Sequence, residues 1–177
     1  HGRLLSGIGK ELSLWDLGMK KMLKKSTDSH SFSSRITGIR CQEFRITVQM
    51  QTNSICMVQY QARINQFRLI VNDFRERASM TFEQLDYDTV VCSDKFGGVC
   101  VQRVPDNVVE DVIGEVFVRN FQSKAEFYVG DVCTWIQKAR LIVGAPECII
   151  YGTVGGALGA FIALKEDDAK VFYELER

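Results

Sequence analysis

Alternation of apolar and polar residues dominates this chain and predicts β-strands along most of its length. Residues 10–17, KELSLWDL, alternate with period two and place Leu12, Leu14 and Asp16 on one face of a strand. Other runs rich in β-branched and aromatic residues predict further strands. They span residues 43–50, 54–60, 66–72, 88–93, 98–104, 132–143, 148–154 and 157–164. The pattern predicts an all-β chain.

Short tips that contain glycine or asparagine separate these runs and predict hairpin turns, because both residues accept positive φ. The tips are Gly9-Lys10, Gln51-Thr52-Asn53, Lys95-Phe96-Gly97 and Gly155-Gly156. Counted at positions 9, 52, 96 and 155, they are 43, 44 and 59 residues apart, and the last interval includes an insertion at 105–123. A period of about 40–45 residues with four strands is typical of a β-propeller blade. We therefore predict a β-propeller fragment of about three and a half blades.

The pattern changes at Lys165. Residues 165–177, KEDDAKVFYELER, place Ala169, Phe172 and Tyr173 at near-helical spacing, with acidic residues in the first turn, where the helix dipole favours them. The sequence therefore predicts a partial propeller over residues 1–164, followed by the start of an α-helical element over residues 165–177. Because the chain begins without methionine and ends inside this helix, we expect it to be part of a longer protein.

Composition excludes several function classes. The hydrophobic fraction of 46% and the aromatic fraction of 10% are too high for a disordered or collagen-like chain. The 22 basic residues balance 22 acidic ones. Because binding to nucleic-acid phosphates requires an excess of Lys and Arg, this balance argues against a dedicated nucleic-acid clamp.

The cysteines predict buried thiols in a reducing compartment. They lie at positions 41, 56, 92, 100, 133 and 148, form no C-x-x-C pair, and are accompanied by only two histidines, so zinc is not expected. Five of the six have apolar or β-branched neighbours, as core thiols do. Cys92 and Cys100 could face each other across a hairpin and form a disulfide in a secreted protein. No signal peptide or glycosylation sequon supports secretion.

Residues 148–164, CIIYGTVGGALGAFIAL, allow two interpretations. They contain 17 residues without a charge and two G-x-x-x-G spacings, as a short membrane helix would. They also carry Gly155-Gly156 midway between two β-prone runs, as a hairpin would. The agreement with the repeat period favours the hairpin.

No motif predicts catalysis or a cofactor. Gly7-Ile8-Gly9-Lys10 ends like a phosphate-binding loop but is followed by Glu11, where Ser or Thr would bind magnesium. Asp86 and Asp88 could hold a cation, although a corner in which aspartates accept backbone amides explains them better. His30 lies in a polar loop without a nucleophile nearby.

Two charged segments are candidates for binding. Lys20, Lys21, Lys24 and Lys25 could contact RNA phosphates, but such a run is more typical of a solvated edge strand. The acidic segment 106–115 is interpreted as a mobile loop of the kind that serves as a docking surface in propellers.

Several segments resemble the family of large propeller subunits found in splicing factor 3b. They are residues 3–17, RLLSGIGKELSLWDL; 18–23, GMKKML; 85–105, LDYDTVVCSDKFGGVCVQRVP; 129–143, VGDVCTWIQKARLIV; and 149–159, IIYGTVGGALG. The combination of DYDTV with DKFG is fairly specific to this family. The large subunits of the cleavage and polyadenylation factor and of the damaged-DNA-binding complex share the architecture and resemble the chain less closely. The acidic insertion that the family carries after Val104-Pro105 is short here.

The resemblance implies a non-catalytic nuclear scaffold in pre-mRNA splicing, within the U2 particle that recognises the intron branch site. Residues 1–164 would be the later part of a third propeller, and residues 165–177 the start of a C-terminal helical domain. The implied partners are the helical-repeat subunit and a small companion subunit of the complex. No cofactor, membrane or small-molecule substrate is implied, and contact with nucleic acid is weak or indirect. The alternative function is direct RNA binding.

By the same resemblance, partner contacts are expected at corners near residues 75–95 and in the segment 132–153. Aromatic and charged side chains at such corners combine buried area with hydrogen bonding, which suits them as interface anchors. The candidates are Arg75, Tyr87, Asp88, Lys95, Gln137, Lys138 and Thr153.

Overall fold

A computed structural model describes residues 2–106 and 118–175, and these residues form fifteen strands and one helix. The strands are β1 (Arg3–Ile8), β2 (Glu11–Leu17), β3 (Met22–Asp28), β4 (Ile36–Gln42), β5 (Arg45–Met50), β6 (Ile55–Gln61), β7 (Gln66–Asn72), β8 (Ser79–Gln84), β9 (Thr89–Asp94), β10 (Gly98–Arg103), β11 (Arg119–Asn120), β12 (Gln122–Tyr128), β13 (Cys133–Ala139), β14 (Cys148–Thr153) and β15 (Leu158–Ile162). The helix is α1 (Glu166–Leu175).

The strands build four sheets, which we number as blades I to IV. Blade I is β1-β2-β3, blade II is β4 to β7, blade III is β8-β9-β10-β12, and blade IV is β13-β14-β15. Within each blade consecutive strands pair antiparallel. The short strand β11 pairs parallel with β7 and so extends blade II before the chain returns to blade III through β12. The prediction of an all-β propeller fragment is confirmed.

The four tips that defined the repeat lie at one end of the sheets, which we call the tip end. Gly9 accepts a backbone hydrogen bond from Ile36, where blade II begins, and Gly97 accepts one from Val129, just before blade IV begins. The opposite end, where the chain turns between β8 and β9 and between β13 and β14, is called the corner end. Because β1 leads into a tip as β5, β9 and β14 do, it corresponds to the second strand of a blade.

Three apolar cores lie between neighbouring blades, and in blades II and III the period-two alternation of the middle strands divides their side chains between two of these cores. In β6, Cys56 and Val58 face the core shared with blade I, whereas Met57 faces the core shared with blade III. In β9, Val90 faces blade II and Val91 faces blade IV. A strand covered on both faces has no solvent-exposed side, which explains why β5 is buried at all six positions, including the polar residues Arg45, Thr47 and Gln49.

Most predicted strands match observed ones within one or two residues, and the differences are informative. The sequence did not predict β1, β4, β8, β11 or β12. The predicted strand 132–143 was too long, since β13 ends at Ala139. Residues 148–164 contain the β14–β15 hairpin, in which Gly156 has a φ of 87°, so the membrane-helix interpretation was wrong. Among the described residues no helix has the length and apolarity needed to cross a bilayer.

The helix and the thiols follow the sequence expectations. Helix α1 begins at Glu166, next to the predicted start, and several of its apolar side chains are exposed. Five cysteines are buried and only Cys41 is exposed. The acidic segment 106–115, interpreted as a docking loop, lies outside the described residues beyond Asp106.

Candidate protein-interaction surface

The predicted partner-contact residues divide between the two ends of the sheets. Tyr87, Asp88 and Lys138 all lie at the corner end, and the exposed Gln137 neighbours Lys138 on β13. The remaining candidates, Arg75, Lys95 and Thr153, lie toward the tip end. The structure therefore assembles two separate groups from residues that the sequence could only place in one list.

Arg45 fixes the corner between β8 and β9. This arginine begins β5 in blade II and is almost fully buried. Its Nη2 lies 3.3 Å from Oδ1 of Asp88, and its guanidinium carbon lies 4.4 Å from the centre of the Tyr87 ring. An ion pair and a cation–π contact therefore hold the corner of blade III against blade II. Sequence reasoning missed Arg45, because nothing local relates it to a corner in the next blade.

The two aspartates of this corner, Asp86 and Asp88, bind different partners. The carboxylate of Asp86 accepts the backbone N–H of Asp88 at 2.9 Å, which closes the turn in the way predicted for a polar corner. The carboxylate of Asp88 pairs with Arg45 instead. Among the residues that the structure describes, no three His, Cys, Asp or Glu side chains form a metal-binding group.

Lys138 ties blade IV to the same corner. Its Nζ donates to the carbonyl oxygen of Leu85 at 2.6 Å and lies 2.7 Å from Oε2 of Glu147. The hydrogen bond from Lys138 holds the pKa of the Glu147 carboxyl below its usual value, so this carboxylate stays charged. Arg140 adds a second positive charge, with Nη2 at 3.7 Å from Glu147. The corner end thus joins blades II, III and IV through charged groups.

An exposed apolar tip projects beside this charged corner. It consists of Leu141, Ile142 and Val143, which are between 63% and 101% exposed. We call these three residues the apolar tip. They lie between β13 and β14, and so at the corner end and not at the tip end. Gly144 follows with a φ of 86°, a conformation that glycine accepts without strain, and so allows the chain to turn back toward β14. Three consecutive large apolar side chains in water are costly unless something covers them. The sequence did not reveal this tip, because the apolar run continues the pattern of β13.

At the tip end, the three candidates Arg75, Lys95 and Thr153 each make a separate local contact. Nη1 of Arg75 donates to Oε1 of Glu126 at 2.8 Å, in a network with Arg77 and the buried Asp73. Lys95 lies over the ring of the exposed Phe96, with 5.3 Å between Nζ and the ring centre. Thr153 is buried, and its hydroxyl accepts the backbone N–H of Ala157 at 3.2 Å.

The lysine group lies at the corner end of blade I. Lys20 and Lys21 are exposed in the turn before β3, whereas Lys24 and Lys25 lie on β3 itself. Lys24 pairs with Glu11, and Nζ of Lys25 lies 3.1 Å from Oδ2 of Asp16. The hydrogen bond from Lys24, with others from Ser13 and Thr27, lowers the pKa of Glu11 to about 2.

The remaining candidate motifs have structural roles. Gly9, with a φ of 60°, forms the β1–β2 turn within the sequence that resembled a phosphate-binding loop. The backbone N–H of His30 donates to Oδ1 of Asp28 at 3.0 Å, and Ser31 donates to the same carboxylate. This loop is therefore closed by Asp28.

Comparison with known families decides the classification. The family model described as the CPSF A subunit region matches residues 1–177, the whole chain. The chain belongs to this family.

Individual relatives of this CPSF A region are splicing proteins. The chain is 34% identical to "Splicing factor 3B subunit 3" of Drosophila melanogaster, over 99% of the chain and 16% of that protein. It is 35% identical to "Spliceosome-associated protein 130 A" of Arabidopsis thaliana, again over 99% of the chain and 16% of that protein. It is 32% identical to "Pre-mRNA-splicing factor prp12" of Schizosaccharomyces pombe, over 99% of the chain and 16% of that protein.

These comparisons confirm the resemblance to subunit 3 of splicing factor 3b. The chain spans about one sixth of the length of the relatives it matches, since each alignment covers 16% of the relative. The names of the family and of these relatives indicate no catalytic activity. This CPSF A region is thus a splicing-factor-like propeller segment whose corner end carries a charged corner and an apolar tip.

Proposed function

We propose that this CPSF A region is a non-catalytic protein-interaction scaffold of pre-mRNA splicing in the nucleus, within the splicing factor 3b complex that takes part in branch-site recognition. Its relatives are splicing factors. The proposed partners are the helical-repeat subunit and the small companion subunit implied by the family resemblance.

The exposed apolar tip is the observation that carries this proposal. Leu141, Ile142 and Val143 stand in solvent beside a corner whose charged groups are already held in place by Arg45 and Lys138. A protein interface combines an apolar centre that loses water on binding with a polar rim that fixes orientation. The tip supplies the apolar centre, and Gln137, Arg140 and Glu147 supply polar groups around it.

The geometry favours a protein partner over RNA. Two of the four candidate lysines, Lys24 and Lys25, are paired with carboxylates of the neighbouring strand β2, which reduces the positive charge available to phosphates. Glu11 stays ionised over the physiological range because its pKa is about 2, so its pairing with Lys24 is not lost there.

The partition of the chain follows from the same proposal. We propose that residues 1–164 belong to one propeller and that residues 165–177 open a helical domain. In support, the exposed apolar side chains of α1 are available for packing against further helices. They are Val171, Phe172, Tyr173 and Leu175.

Replacing Leu141 and Val143 together with serine is expected to weaken binding to the helical-repeat subunit by about a hundredfold. Each buried aliphatic side chain contributes about 1.5 kcal/mol or more, and about 1.4 kcal/mol corresponds to a tenfold change in affinity. Surface plasmon resonance with the purified full-length protein measures the change. Val154→Ser is the matched control, since Val154 is an exposed apolar residue on the opposite end of the same blade. Equal binding by the double variant and the wild type would contradict the proposal.

Replacing Lys20, Lys21, Lys24 and Lys25 with alanine is expected to leave the affinity for that subunit unchanged. It is also expected to have no effect on the binding of single-stranded RNA by the full protein. A salt titration followed by fluorescence anisotropy tests both points, because contacts to phosphates weaken steeply with salt. Micromolar RNA affinity that disappears in the fourfold variant would support direct RNA binding over the scaffold.

A further inference from the structure

Cys92 and Cys100 form a close pair of thiols in the middle of blade III. They lie directly opposite each other on β9 and β10, and their sulfur atoms are 3.1 Å apart. Their exposed fractions are 1% and 3%. Both lie in the core between blades II and III, with Val90, Val104 and Phe121 among the residues of that core.

This position has the geometry that a disulfide requires. Residues directly opposite in an antiparallel pair have Cα atoms about 4.5 or 5.5 Å apart, and both values lie within the range found for disulfide-linked residues. A disulfide joins sulfur atoms at about 2.05 Å. The two sulfur atoms therefore need to approach by about 1 Å, which rotation about the side-chain bonds can provide without separating the strands.

The hydrogen bond between the two thiols, more than the charged groups beside them, distinguishes the two sulfur atoms. This hydrogen bond, assisted by the positive charge of Arg77, holds the pKa of Cys100 below its usual value. The same hydrogen bond, together with burial, raises the pKa of Cys92. Asp73 and Glu126 oppose the effect of Arg77 at Cys100. Cys100 is thus the sulfur atom that more readily becomes a thiolate.

We propose that Cys92 and Cys100 form a reversible redox pair, which hydrogen peroxide converts into a disulfide that joins the two middle strands of blade III. The proposed scaffold function does not use these thiols. The proposal is independent of the splicing partner, since it concerns one hairpin of this chain.

The reaction proceeds in two steps that balance. The Cys100 thiolate attacks one peroxide oxygen, the O–O bond breaks, and with one proton the products are a sulfenic acid on Cys100 and water. The sulfur of Cys92 then attacks the sulfur of the sulfenic acid, the S–O bond breaks, the thiol proton is released to the leaving oxygen, and a second water forms. Two thiols are oxidised and one peroxide is reduced to two waters. A dithiol reductant reverses the reaction by thiol–disulfide exchange.

Burial limits which oxidant can act. Hydrogen peroxide is small and uncharged, so brief local opening of the sheet admits it, whereas a bulky aromatic disulfide reagent requires the core to unfold. Cys56 provides a control within the same molecule. It is equally buried, in the core between blades I and II, but burial raises its pKa and it is not paired with a second cysteine.

The test uses the full-length protein, reduced, freed of reductant and treated with hydrogen peroxide at neutral pH. The remaining thiols are alkylated with a maleimide in denaturant at near-neutral pH before tryptic digestion. Trypsin cleaves after Arg77, Lys95 and Arg103, so Cys92 and Cys100 fall in separate peptides, 78–95 and 96–103. The expected result is a linked pair of these two peptides that a dithiol reductant separates, at about tenfold higher yield than oxidation of Cys56.

Two outcomes would overturn the proposal. One is alkylation of both Cys92 and Cys100 after peroxide treatment that oxidises the exposed Cys41. The other is equal oxidation of the pair and of Cys56, which would indicate general unfolding. The variant Cys92→Ser adds a mechanistic test, because Cys100 should then accumulate as a sulfenic acid that dimedone traps. If that variant does not fold, the peptide map of the wild-type protein still decides the question.

Discussion

Replacing Phe82 with alanine is expected to lower the free energy of opening of blade III by about 3–5 kcal/mol, because the loss of a buried aromatic ring leaves a cavity. Phe82 is 3% exposed and lies in the core between blades II and III. Its ring packs closely on Gly38 of blade II, where an added Cβ would lie only 2.7 Å from its Cε1 atom. The guanidinium carbon of Arg40 lies 5.7 Å from the ring centre. The ring therefore connects the first strands of two blades.

Native-state hydrogen exchange at the amides of β9 measures this change without requiring the whole protein to unfold. The matched control is Phe96→Ala, the same substitution at an exposed hairpin tip of the same blade. We expect the control to leave exchange in β9 unchanged. Similar exchange rates in the two variants would show that the core between blades II and III does not depend on Phe82.

The second large effect is expected for Asp73→Ala, with a loss of about 3 kcal/mol or more in the free energy of opening at the junction between β7 and β8. The buried carboxylate of Asp73 accepts hydrogen bonds from three donors. They are Nε of Arg77 at 3.1 Å, Nε2 of Gln102 at 2.8 Å and the backbone N–H of Arg75 at 3.1 Å. The substitution takes one hydrogen-bond acceptor from the partly buried Arg77 and one from the buried Gln102. Buried donors that lose their acceptor are energetically costly.

Glu126→Ala is the control for this network. Oε1 of Glu126 also contacts Arg77, at 2.9 Å, but the Glu126 side chain is half exposed, so its loss is expected to cost less than about 1 kcal/mol. Hydrogen exchange at β7, β8 and β10 in both variants gives the comparison. A cost for Glu126→Ala equal to that for Asp73→Ala would contradict the assignment of Asp73 as the centre of the network.

The sequence predicted the propeller because the repeat is encoded in turn residues. Gly9, Gly97 and Gly156 adopt positive φ at equivalent tips, and local chemistry alone identifies such positions. Among the missed strands, β4, β8 and β12 have many partly or fully exposed positions, and their strand character depends on pairing with the rest of the blade. Local propensity therefore identified the buried middle strands better than the flanking ones.

The candidate site divides in the same way. The facing of Cys92 and Cys100 follows from hairpin register, so the sequence could indicate it. The clamp of Arg45 on Tyr87 and Asp88 joins residues in different blades, and no periodicity within one blade relates them. The apolar tip resembled a strand in sequence, and only the end of β13 at Ala139 shows that Leu141 to Val143 stand in solvent.

The division of each middle strand between two cores has a consequence for how the blades come apart. Val90 and Val91 are adjacent in sequence, yet Val90 packs in the core shared with blade II and Val91 packs in the core shared with blade IV. Stability in such an array is a sum of nearest-neighbour terms. Loss of blade IV would therefore expose the face of β9 that carries Val91 to solvent, while the face that carries Val90 would stay buried against blade II. The blades can thus unfold from the ends of the array while its centre stays folded.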